Sequence, residues 1–150
     1  SMGHARYLPL VLIFFMAGLL ACSSAAPKAE VKSASLIGRW EGVDRTGKPG
    51  AFHFFEDGSI LLVIDGKTLG GADSNGMGRM KFSVDYAKDP IELDLIGIDP
   101  SGVERGKILM IVKFISKNKI KIRSYFTETR PQNFDEETID DTIILDRKIE

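Results

Sequence analysis

Across residues 36–148 the apolar positions never keep the i, i+3, i+4, i+7 spacing of an amphipathic helix. They fall instead in short β-rich runs separated by Gly, Pro, Asp and Asn. The pattern predicts eight strands, over 36–44, 51–56, 59–65, 79–86, 91–98, 107–115, 119–126 and 141–148. The run 79–86 alternates cleanly, with Met80, Phe82, Val84 and Tyr86 on one side and Arg79, Lys81, Ser83 and Asp85 on the other. The run 119–126 sets Ile120, Ile122, Ser124 and Phe126 against Lys119, Lys121, Arg123 and Tyr125. The run 107–115 is apolar on both faces over its middle. Asp57-Gly58 is a strong hairpin signal. A long glycine-rich loop is expected over 66–78, and an acidic loop over 127–140 with room for one short helix at 132–140. Short connections favour antiparallel neighbours. The expected fold is therefore all-β, an eight-stranded antiparallel up-and-down barrel, because closure removes both sheet edges. A β-sandwich is the alternative.

The amino end breaks this pattern. After a short polar start with His4 and Arg6, residues 8–20 form an uncharged apolar run. That is shorter than the roughly 20 residues a spanning helix needs, and it fits the apolar region of a secretory signal. Ser1 ahead of Met2 reads as a cloning remnant. The single cysteine closes the run in Leu19-Leu20-Ala21-Cys22-Ser23. This resembles the lipobox of bacterial lipoproteins, with Leu20 bulkier than the usual small residue. The resemblance implies a diacylglycerol on the Cys22 thiol, cleavage after Ala21 and acylation of the new amino terminus. Two or three acyl chains give stable anchoring where one is marginal. An ordinary signal peptide with an incidental cysteine, or an uncleaved anchor, is the competing reading. Ser23 in place of Asp implies the outer membrane of the cell envelope. The expected organisation is a signal peptide over 1–22, a flexible tether over 23–35 and one β-domain over 36–150.

Composition sharpens this picture. Sixteen of the 65 hydrophobic residues lie in the first 22, so the 43% hydrophobic figure overstates the domain. The near-neutral net charge of −1 argues against a nucleic-acid partner. One cysteine excludes an internal disulfide framework, and with two histidines leaves little for a metal centre. No cofactor motif is present, and a monomer is expected.

The two ends of the domain resemble the lipocalin and wider calycin group. Gly38-Arg39-Trp40 gives the G-x-W of the first strand, and Arg147 matches the basic residue that packs across the tryptophan. A second resemblance is to uncharacterised bacterial lipocalin-like proteins. It rests on Pro90-Ile91-Glu92-Leu93-Asp94, on Arg130-Pro131-Gln132-Asn133-Phe134 and on Leu145-Asp146-Arg147-Lys148. The chain is shorter than classical lipocalins and lacks their long C-terminal helix. The resemblance implies a barrel closed by Gly38, Trp40 and Arg147, and a small apolar ligand inside it. The apolar strand faces could equally fill a solid core, which would make the domain a protein–protein interaction or structural module of the envelope.

Other candidate chemistry is thin. Gly42 to Lys48 matches G-x-x-x-x-G-K, but Pro49 and a strand follow where a phosphate loop needs Ser or Thr and a helix. Asp73 starts a calcium-like loop that puts Met77 and Val84 where oxygen ligands belong. His53 stands among phenylalanines with no nucleophile to activate. Asp85, Asp89, Glu92, Asp94 and Asp99 fix no spacing for acid–base work, so no enzyme is expected. Lys113, Lys117, Lys119, Lys121 and Arg123 form a basic hairpin, while residues 128–150 carry eight acids and three bases. The simplest expectation is that the two lie together; a basic patch on lipid headgroups or envelope polymer is the other.

Overall fold

The computed structural model describes residues 34–44, 46–64, 66–71 and 79–149. Cys22 and the expected signal segment lie outside these residues, as does most of the expected tether.

Inward-facing positions repeat every second residue, and this alternation builds the strands. They are β1 (Gly38–Val43), β2 (Pro49–Phe54), β3 (Ile60–Ile64), β4 (Lys67–Leu69), β5 (Arg79–Asp85), β6 (Ile91–Ile98), β7 (Glu104–Ser116), β8 (Lys119–Ser124) and β9 (Thr142–Lys148). All pair antiparallel in one sheet of order β4-β3-β2-β1-β9-β8-β7-β6-β5. The pairing of β1 with β9 joins the two ends of the domain. The sheet curls into a half-barrel around Trp40, Phe52, Phe54, Ile60, Leu62, Leu93, Leu95, Met110, Val112, Ile120, Ile122 and Leu145. It curls far enough for β5 to return to the β2–β3 turn, where Phe82 N donates to Gly58 O at 2.9 Å. Beyond that contact and the Ser59–Lys81 bridge, no ladder joins the edge strands β4 and β5 among the described residues.

Three expectations need correction. The barrel is not closed: among the described residues the sheet is a half-barrel that keeps β4 and β5 as edges. There are nine strands among the described residues, because Lys67–Leu69 pairs with β3 inside the expected glycine-rich loop. Three residues are too few to show an alternation. The 132–140 segment holds turns and no helix. Its carbonyls are taken from outside: Asn133 O, Asp135 O and Glu136 O all accept from Arg123. Glu136 also sits at φ 54°, which a helix excludes. The single sheet also differs from the two packed sheets of a sandwich.

The G-x-x-x-x-G-K match is the β1–β2 turn. Asp44 Oδ1 accepts from Thr46 N, Thr46 Oγ1 and Lys48 N. Gly42 is there for another reason: a Cβ on it would run into the Ile144 carbonyl of β9. The β6–β7 turn repeats the aspartate device. Hydrogen bonds from Ser101 Oγ, Val103 N and Arg105 Nε hold the Asp99 carboxyl down to about 2. A depressed carboxyl stabilises the fold above its unfolded value of about 4 and loses that contribution as pH falls towards its folded value. Thermal stability should therefore drop between about pH 4 and pH 2, and Asp99→Asn should flatten the drop. Melting curves across this range check it; parallel curves for the two proteins would refute the assignment.

Candidate functional site

The two ends of the half-barrel are built differently. One end holds the chain entry, the β2–β3, β5–β6 and β7–β8 turns, and the end of β9. The register puts Trp40 directly opposite Arg147. Trp40 is fully buried, donates Nε1 to Leu36 O at 2.8 Å and meets the Phe114 ring edge-on at 6.2 Å. The Arg147 guanidinium lies 4.2 Å from the indole centroid. It donates to Ile37 O and Ser35 O, each at 2.8 Å, and to Asn118 Oδ1 and Lys117 O. Gly38 sits at φ 122°, and a Cβ there would stand 3.2 Å from Arg147 Nη1. These three residues thus come together, and they fill this end and clamp the incoming chain. Arg147 is half-buried, and a guanidinium so placed over indole gains about 1 kcal/mol.

The opposite end is hollow. A cavity of about 260 Å³ opens between β2, β3 and β4 on one side and β7, β8 and β9 on the other. Much of its lining is apolar: Phe52, Ile64, Leu69, Met110, Ile122 and Ile143. Lys67, Ile139, Asp140, Asp141 and Thr142 also line it, as does Asp44, which is only 6% exposed. Ser124 is the buried hydroxyl in the wall, only 3% exposed. Its Oγ accepts from Phe126 N at 2.9 Å. Phe126 itself stands at φ 58° and half-exposed at the mouth. A bulky aromatic in the left-handed region is costly, by about 1–3 kcal/mol, and persists only where its surroundings impose it. Such strain concentrates at functional sites.

The mouth depends on Arg123. Its guanidinium is buried and donates to three carbonyls of the acidic segment and to Asp141 Oδ2 at 3.2 Å. Arg123 Nε is a buried donor with no partner among the described residues. Burial works to raise the Asp141 carboxyl, yet hydrogen bonds from Thr142 Oγ1 and Thr138 N and the Arg123 guanidinium hold it below the usual carboxylate range. Lys121 reaches Glu137 at 2.8 Å and Lys119 reaches Asp146 at 3.5 Å. The basic hairpin and the acidic segment do lie together.

The Arg130-Pro131-x-x-Phe134 motif belongs to the same strap. Arg130 donates to Met110 O and Leu93 O across β6 and β7, and pairs with Asp94 and Glu92. Pro131 is buried. Phe134 sits under Lys121 Nζ, 5.6 Å from the ring centroid. Ile111, buried on the outer face of β7, lies in the area this strap crosses. Glu92, Asp94 and Asp99 are thus engaged as ion pairs and turn caps, and Asp85 accepts from Ala87 N. His53 stacks on Phe55 at 4.0 Å. Among the described residues no three His, Cys, Asp or Glu side chains gather as a metal cluster.

Phe126, Ile139 and Ser124 were not legible as site residues. Ser124 and Phe126 look like ordinary inward positions of a strand that in fact stops at Ser124. Compared with protein-family models, curated proteins and solved structures, the chain matches none.

Proposed function

We propose that this is a lipid-anchored envelope protein whose lipocalin-like half-barrel binds one small, neutral, apolar molecule. The observation that carries the binding is the cavity: about 260 Å³, lined mainly by aliphatic, thioether and phenyl groups, with the buried Asp44 and Ser124 as its enclosed polar residues. A dry apolar cavity of about 150 Å³ already takes up benzene, and drug-sized ligand sites start near 300 Å³. The Ser124 hydroxyl supplies one polar contact, a donor for an oxygen on the ligand. The filled end supports the lipocalin-like reading, because Gly38, Trp40 and Arg147 stand there as the resemblance requires. The lipobox around Cys22 supports the anchor. Since Arg147 clamps Ser35 and Ile37, a tether from Cys22 would enter at the filled end and leave the cavity mouth pointing away from it.

The full chain carrying Cys22→Ser takes no acyl groups, so it suits a titration with N-phenyl-1-naphthylamine, with a second chain that also carries Ile143→Phe as the control for dye held by the apolar run 8–20. One saturable site per chain is expected; no saturable binding would overturn the ligand reading. In the second arm, the intact mass of the unaltered chain extracted from membranes should show two or three acyl groups on Cys22. An unmodified Cys22 would overturn the anchor.

A further inference from the structure

The interior does not end at the cavity wall. Beside it lies a more open slot of about 470 Å³ at the unpaired edge between β4 and β5. Leu69, Met80, Leu95 and Ile108 give it an apolar strip, and Arg79, Arg105, Lys107 and Glu128 line it as well. Cavity and slot share two residues, Leu69 and Phe126. Leu69 belongs to a strand, so its position follows from the sheet. Phe126 does not: its strand has ended, its φ is left-handed, and the Ser124 Oγ bond and the Leu109 N–Thr127 O bond pin it on either side.

From this shared wall we propose that Phe126 sets the length of ligand the protein takes, as the partition between the cavity and the β4–β5 slot. The inference rests on the binding reading and adds its specificity. With the phenyl ring in place, an unbranched apolar chain fills the cavity and then meets the ring. Without it, the same chain runs on over Leu95, Met80 and Ile108.

The experiment displaces N-phenyl-1-naphthylamine from the Cys22→Ser chain with a series of n-alkanols of increasing length. While methylenes enter the cavity, each should tighten binding by about fourfold. In the parent the gain should stop at a short chain. In Phe126→Gly it should continue for several more methylenes. Glycine accepts a φ of 58° freely, so the backbone need not move. Phe126→Asn, which also tolerates this conformation, is measured in parallel and should shift the plateau the same way. An unmoved plateau in both variants, with dye binding intact, would overturn the role of Phe126 alone. Failure of the parent to bind dye or alkanol would overturn the binding reading, and this inference with it.

Discussion

Truncating Trp40 to alanine should cost the domain about 3–5 kcal/mol, the range for removing a buried large aromatic. Three losses add up there. The indole is fully buried and packs edge-on against Phe114. Its Nε1 no longer satisfies Leu36 O. Arg147 loses the face on which it lies and keeps only its carbonyl and amide acceptors. Against the 5–15 kcal/mol total of a typical domain, this loss threatens folding at ordinary temperatures. Urea unfolding followed by circular dichroism measures it. Trp40→Phe keeps a ring and should recover part of the loss. A Trp40→Ala protein within about 1 kcal/mol of the parent, no more than the average point substitution costs, would show that the filled end is not a centre of stability.

Replacing Arg123 with methionine is the second large effect. Removing one partner of a fully buried ion pair costs about 3–5 kcal/mol, because the other is left uncompensated; Arg123 is buried and Asp141 half-buried, so the pair's share falls at or below the lower end. Here the loss reaches further than Asp141. Asn133 O, Asp135 O and Glu136 O lose their donor together, and nothing helical waits to take them up. The 127–141 strap should loosen while the sheet holds. Amide exchange should therefore speed up across the strap and at Ser124 N, which donates to Asp141 O. Exchange in β1 and β2 should change least. Uniform acceleration through the sheet would contradict a local role for Arg123.

The strands were legible because each inward residue repeats at a period of two, as in Met80, Phe82 and Val84 or Ile120 and Ile122. The pairing of Trp40 with Arg147 came from the lipocalin resemblance, and the β1–β9 register places the two side by side. β4 was hidden because Lys67-Thr68-Leu69 is too short to carry a pattern. The absent helix over 132–140 reflects a competition that no local propensity shows. A guanidinium 10 to 13 residues upstream captures the carbonyls a helix would use. Phe126 was read as a strand position, since nothing in a phenylalanine announces a left-handed backbone. Whether apolar strand faces meet or leave a space depends on the curl of the whole sheet, so the cavity could not be read from alternation.

The central claim is that the space between Met110, Ile122 and Ile143 is a binding site. The most direct measurement titrates N-phenyl-1-naphthylamine into two full-length Cys22→Ser chains side by side, one otherwise unaltered and one carrying Ile143→Phe. Ile143 lines the cavity from β9, so a phenyl ring there occupies the ligand's volume without adding charge. Saturable binding by the first chain, weakened at least tenfold or lost in the second while its circular dichroism is unchanged, is the predicted result. Equal binding by both would place the dye elsewhere and contradict the account.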